Sequence, residues 1–112
     1  MTYIISKADL PFDGFARELQ GYEYGDTHVS LILVEAPPES GPKLHSHPYE
    51  EIFIVQEGQV TFTAGGETIE AAAGQIVIVP AGSPHKFVNS GTGLLRQIDI
   101  HVSPRFITTW LE

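Results

Sequence analysis

From Thr27 onward, no β-forming run in this chain lasts longer than about ten residues before glycine or proline ends it. THVSLILVEA stops at Pro37-Pro38, EIFIVQ at Glu57-Gly58, QVTFTA at Gly65-Gly66, and QIVIV at Pro80. PHKFVN stops at NSGTG, and LLRQIDIHV runs to Pro104. Proline cannot donate to a β ladder, and glycine accepts the backbone angles of tight turns. Such punctuation rules out long helices and leaves short strands at regular spacing. With ETIEA and the piece around His45, about eight strands are predicted, the pattern of an all-β sandwich or barrel. Gly65-Gly66 is predicted to be a two-residue hairpin turn.

Several runs, Ile76 to Val79 above all, are apolar at consecutive positions. A strand of that kind is expected to be covered on both faces, by another layer or by a second subunit. The ends read differently. Ser103 and Pro104 suit the start of a helix, and Phe106, Ile107, Trp110 and Leu111 share one helical face, so a short helix is predicted over 104–112. FDGFARELQG is a second candidate for a helical turn, weakened by Gly14. The expected organisation is one domain over 1–112: a barrel core over about 27–103, an N-terminal arm over 1–26, and the C-terminal helix.

Six basic residues face fourteen acidic ones, a formal net charge of -8. Nucleic acid and anionic membrane are therefore not expected as partners. There is no cysteine, which excludes disulfides, thiolate metal sites and a cysteine nucleophile. MTYIISKADLPF has neither a basic start nor a long apolar run, and no stretch approaches the roughly 20 apolar residues of a membrane helix. A cytoplasmic location is the resulting expectation.

The chemistry concentrates at HSHPYEE, residues 45–51. On a strand, His45 and His47 point to the same side, with Cα atoms roughly 6–7 Å apart, so two imidazoles can converge on one ion. Glu51 shares their parity but on a straight strand would lie about 13 Å further on. It joins them only if the chain turns back, and Pro48 supplies a corner. Glu50 has the opposite parity and reads as a solvated neighbour. In the second half, GQIVIVPAGSPHKFVN carries a strand into a Pro-Ala-Gly loop that delivers His85 to the start of the next strand.

These two stretches resemble the two motifs of the cupin family. The first appears as His45-x-His47-x3-Glu51-x6-Gly58; the second matches at Gly74, Pro80, Gly82, His85 and Asn89. One departure is Gly41, which stands closer to the first histidine than the family's leading glycine does. The resemblance implies a double-stranded β-helix, or jelly-roll barrel, with His45, His47, Glu51 and His85 around one divalent transition metal ion. Imidazole and carboxylate donors suit Fe, Mn, Ni, Co, Cu or Zn without selecting among them.

Gly58, Gly74, Gly82 and Pro80 are read as turn residues, and Asn89 as a turn or end-of-strand residue. His28 and His101 each read as an edge or core histidine. On the last strand Leu95, Gln97, Asp99 and His101 share one face, and Arg96, Ile98, Ile100 and Val102 the other. Parity leaves open which face is inside, and hence whether Gln97 and His101 line a pocket. Lys43 has the parity of His45 and is either solvated or available to an anionic ligand.

Two functions remain open on this reading. One is a metal-dependent enzyme, dioxygenase-like or isomerase-like, acting on a small organic molecule; the other is a non-catalytic module that binds or senses a small ligand. A homodimer is expected, because the N-terminal YII strand, the doubly apolar strands and the Phe106/Trp110 face exceed what one small barrel can bury.

Overall fold

A computed structural model describes residues 1–112 as two five-stranded antiparallel sheets packed face to face, a jelly-roll sandwich. The strands are β1 (Ala16–Leu19), β2 (Ser30–Ala36), β3 (His45–Ser46), β4 (Glu51–Glu57), β5 (Gln59–Ala64), β6 (Glu67–Ala72), β7 (Ile76–Val79), β8 (His85–Asn89), β9 (Leu95–His101) and β10 (Thr109–Trp110). One sheet has the order β1-β2-β9-β4-β7 and the other β10-β3-β8-β5-β6. The glycine pair turns β5 into β6 with positive φ at both residues, 56° and 82°, as a two-residue hairpin demands.

The core lies between the sheets. Phe53 and Val55 of β4 meet Val60 and Phe62 of β5, Phe87 of β8 and Leu95 of β9, all buried. Phe53 and Phe62 pack edge to face at 4.8 Å, the arrangement their ring quadrupoles favour. Alternation along β9 is complete: Leu95, Gln97, Asp99 and His101 all point inward. This settles which face of the last strand is inside and brings three polar side chains into the interior.

The C-terminal helix is absent. Residues 104–112 run extended, and β10 pairs with β3 through Thr109↔Ser46 and Trp110↔His45. Without β10, β3 would be an unpaired edge beside the histidines. A ladder to that edge outweighs the weak local helix preference. The apolar positions also fit the extended reading, since Phe106, Thr108 and Trp110 line one cavity at a period of two.

The N-terminal region differs as well. FDGFARELQG gives strand β1 instead of a helical turn, with the Asp13 side chain accepting from the Ala16 N–H at 3.0 Å. Only single 3₁₀ turns occur, at Lys7–Asp9 and Gly21–Glu23, and residues 3–5 form no strand. The displaced motif glycine has its own explanation. Gly41 lies against β8, where an added Cβ would collide with the Phe87 carbonyl. It serves close packing of the approach to β3.

The expectation that β7 is covered on both faces is not met within one chain: Ile76 is 62% and Ile78 66% exposed, while Val79 is buried. They belong to two aliphatic rows on the outer face of the first sheet. Leu31, Ile100, Ile52 and Ile78 stand in register across β2, β9, β4 and β7, and Leu33, Ile98, Ile54 and Ile76 form the neighbouring row. A charged row bounds them, where Arg96 pairs with Glu35 and Glu57, each at 2.9 Å. No helix is long and apolar enough to cross a membrane.

Candidate metal centre

His45, His47, Glu51 and His85 converge from both sheets. His45 and His85 are direct partners across the β3–β8 ladder. His47 follows one residue after β3, and the Gly82 N–H binds its carbonyl at 2.7 Å, tying the Pro-Ala-Gly loop to the histidine pair. The chain then bends through Pro48 and crosses to the other sheet, where Glu51 opens β4. All four side chains are buried, and their candidate ligand atoms lie within 4.8 Å of one another. Glu50 is exposed, as are His28 and Lys43.

Each of the three histidines is held by its Nδ1. His45 Nδ1 lies 2.6 Å from the Lys43 carbonyl, His47 Nδ1 2.8 Å from the Ile107 carbonyl, and His85 Nδ1 2.9 Å from the Ser83 carbonyl. A carbonyl can only accept, so each Nδ1 carries the proton and each Nε2 lone pair is freed. Metal-binding histidines are typically oriented in this way. Glu51 Oε1 sits 3.2 Å from His47 Nε2 and 3.1 Å from His85 Nε2. His47 Nε2 is buried with no hydrogen-bond partner. Unpartnered buried nitrogen is costly, and a divalent cation among these donors would remove the cost. The four residues form a metal site: three imidazoles and one carboxylate, with no soft donor.

Electrostatics agree. Burial pushes His45 down to about 4, against the pull of the Lys43 carbonyl, so it stands neutral and ready to ligate. Burial alone would raise the Glu51 carboxyl. The imidazoles of His101, His47 and His85 outweigh burial and hold it well below the ordinary carboxylate range. His85 is also desolvated, yet Glu51 and the Ser83 carbonyl lift it above the usual histidine value. Metal binding there competes with protonation.

Two further residues complete the arrangement. His101 pairs with Glu51 in the β4–β9 register and holds Nε2 3.0 Å from Glu51 Oε2. The Tyr49 hydroxyl lies 2.8 Å from His101 Nδ1 and accepts the Ile107 N–H at 3.2 Å. His47 already donates to Ile107, so the phenol proton points to His101. Burial pushes that phenol up to about 12, which keeps it a donor. Tyr49 thus sets the His101 ring, whose Nε2 faces the carboxylate and, like His47 Nε2, is buried without a hydrogen-bond partner. The parity of β9 marked His101 as a pocket candidate without revealing its partner; nothing in the sequence marked Tyr49. Asn89, by contrast, is structural: its amide donates to the carbonyls of Ala36 and Gly93, both at 2.8 Å.

The site opens on a cavity of about 290 Å³ between the sheets. Phe15, Phe53, Phe106 and Trp110 supply apolar walls, and Asp99 lines it from β9. Gln97 is buried too, but it reaches the cavity only through Asp99, to whose Oδ1 it donates at 2.8 Å.

Residues 32–101 match the family model for the Cupin domain. The chain belongs to the cupin family. Among curated proteins, this cupin is 37% identical over 60 residues to the HTH-type transcriptional regulator PuuR of Escherichia coli, covering 54% of this chain and 32% of PuuR. It therefore spans about a third of that relative's length. Among solved structures, the Lactobacillus farciminis oxalate decarboxylase formate complex superposes with a TM-score of 0.81 at 20% identity, covering 93% of this chain and 34% of that one. Bacillus subtilis oxalate decarboxylase OxdC, described with Mn(II) centres, gives 0.79 at 20% identity over 91% and 29%. Identities this low establish the shared fold.

Asp99 makes a prediction of its own. Burial, and then the Glu51 charge, raise its carboxyl well above the ordinary value, against the Gln97 hydrogen bond. The folded chain thus holds this proton more tightly than the unfolded chain does. Its contribution to stability is present below pH about 4 and is lost as pH rises toward the folded-state value. Asp99→Asn has no such loss. In metal-free protein, its melting temperature should exceed that of the parent at pH 8, with the gap closing toward pH 4. A gap independent of pH would contradict a protonated, buried Asp99.

Proposed function

We propose that this cupin is a metal-dependent enzyme acting on a small organic molecule held in the cavity between its sheets, of dioxygenase-like or isomerase-like type. The observation that supports this most directly is the orphaned, buried His47 Nε2 among three aligned imidazoles, at the mouth of a cavity. His45, His47, Glu51 and His85 would be the ligands. A bound divalent ion would supply Lewis acidity and exchangeable coordination positions. Mn is the ion we place first, given the fold shared with a protein of described Mn(II) centres. The protein's own part is to fix the donors, through backbone carbonyls behind the three histidines. Its aromatic walls exclude bulk water, and burial raises the Asp99 carboxyl that lines the cavity.

Four protein donors leave an octahedral ion two positions and a tetrahedral ion none. The test follows from that count. Protein loaded with Co²⁺ should change its ligand-field spectrum when azide or a small dicarbonyl is added. A four-coordinate spectrum unmoved by any added ligand would leave a closed structural site and end the enzyme reading. Glu51→Gln should weaken metal affinity by at least about tenfold, whereas Glu50→Gln should leave it nearly unchanged. The reverse ranking would mean that the neighbouring carboxylate is the ligand.

A second reading, a ligand-binding or sensing module using the same metal site, is supported by the matched segment of PuuR. Turnover of a bound compound would decide between the two. We also propose a homodimer, formed by two copies of the aliphatic outer face about a two-fold axis. Two rows of four aliphatic side chains make an apolar surface that an identical surface would cover, and sheets pack face to face at about 10 Å.

A further inference from the structure

Four buried histidines surround Glu51, and they do not all present the same kind of atom. His45, His47 and His85 each donate from Nδ1 to a backbone carbonyl, which leaves Nε2 as a lone pair. His101 is held the other way round. Its Nδ1 lies 2.8 Å from the Tyr49 hydroxyl, which accepts the Ile107 N–H and turns its own proton toward the ring. A neutral imidazole has one donor and one acceptor nitrogen, so an accepting Nδ1 places the ring proton on Nε2. The fourth histidine therefore offers an N–H where the other three offer lone pairs.

That N–H has no acceptor. His101 is 2% exposed, and its Nε2 is buried without a hydrogen-bond partner. Glu51 Oε2 is 3.0 Å away, but the N–H is not aligned on it, and alignment decides whether so short an approach is a hydrogen bond. His101 lines the same cavity as His45, His47 and Glu51. A donor buried without an acceptor is costly, and one that borders a cavity is completed by what the cavity holds.

We propose that His101 donates its Nε2–H to an oxygen of the small ligand held at the metal site, and that this ligand is a monoanion of the monocarboxylate class. One of its oxygens is directed to the metal and the other to His101. The proposal rests on the reading of this cavity as the ligand site, and it names a positioning contact and the class of ligand. Charge sets the class. Three neutral imidazoles and one carboxylate around a divalent ion leave one positive charge, which one further carboxylate neutralises. A second carboxylate on the ligand finds no cation, since no lysine or arginine lines the cavity. Nor does the cavity set fixed charges against the first. Asp13 is exposed to water, and burial raises the carboxyls of Glu18 and Asp99 toward their neutral forms.

Two measurements test this. In metal-free protein, nitrogen NMR of the histidine rings should show His101 protonated at Nε2, and Tyr49→Phe should release that preference. Protein loaded with Co²⁺ is then titrated with acetate, which offers a second oxygen, and with imidazole, which offers no acceptor beside its bound nitrogen. The ligand-field spectrum reads binding. His101→Phe should weaken acetate at least about tenfold, which corresponds to about 1.4 kcal/mol for one hydrogen bond to a charged group. The same variant should bind imidazole within about threefold of the parent, which also shows that the site has kept its fold. His101→Gln, whose amide supplies an N–H, should hold acetate within about threefold of the parent. Equal acetate affinity in the parent and His101→Phe would mean that the N–H serves only an ordered water, and would overturn the proposal. So would a His101 ring protonated at Nδ1, equal losses of acetate and imidazole, or no rescue by glutamine. A spectrum that neither probe moves reports a closed metal centre, which ends the ligand-site reading and the proposal with it. A spectrum that moves alike in parent and variant ends the proposal alone.

Discussion

His47→Ala protein, purified without added metal and analysed for its elements, should contain almost no transition metal, and His85→Ala should behave alike. Parent protein should carry about one ion per chain. Each substitution removes one of the three imidazole donors and one of the imidazoles that face Glu51. The effect extends to stability. His45, His47 and His85 belong to one sheet or its immediate continuation, and Glu51 opens a strand of the other. An ion bound to all four would pin the sheets together. At metal concentrations a thousandfold above the dissociation constant, binding stabilises by about 4 kcal/mol, on the order of 15 °C for a domain of this size. Adding Mn²⁺ or Zn²⁺ should raise the melting temperature of the parent by that order and leave both variants nearly unmoved. Parent-like metal content in both variants would end the assignment of these residues.

The second large effect concerns the outer sheet face. Light scattering on the parent protein should give twice the 12.3 kDa chain mass at micromolar concentration. Lysines at positions 76 and 78, in the double variant Ile76→Lys/Ile78→Lys, should shift the protein to the single-chain mass and weaken association at least about a hundredfold. These two are the most exposed members of the aliphatic rows. Their replacement leaves the core intact, and unchanged metal content checks the fold. The expectation follows from aliphatic side chains in register across four strands. Apolar patches beyond a few hundred Å² are uncommon on monomers, and a stable interface needs about 800 Å² per partner. A parent protein that stays monomeric at tens of micromolar would contradict it.

The sequence revealed the sheets and the metal site more readily than the ends of the chain. Strand limits in the middle were legible because proline and glycine terminate a ladder wherever they stand. His45 and His47 were legible through their parity and Glu51 through the corner at Pro48; the full set with His85 came from the resemblance to the two cupin motifs. The C-terminal segment was not, because Phe106, Ile107, Trp110 and Leu111 satisfy a helical face and an extended edge strand alike. Only the unpaired edge of β3, a tertiary fact, selects between them. The same holds for His101. Its parity on β9 was plain, but its approach to Glu51 depends on a register between β4 and β9 that joins residues fifty positions apart. Asp99 followed from the same undecided face.

The segment carrying β10 has a consequence for when the site comes into being. The His47 ring is set by the carbonyl of Ile107, sixty residues later, and Trp110 closes on the His45 ring with centroids 5.1 Å apart. Chains emerge from the ribosome in order, at about 5–20 residues per second, and contacts of such sequence separation form late. HSHPYEE is therefore synthesised long before its orientation is fixed. A nascent chain halted before Ile107 has every ligand residue but lacks the carbonyl that aims one of them. A chain truncated before Ile107 is therefore expected to bind metal more weakly than the full chain, although it holds the same four donors.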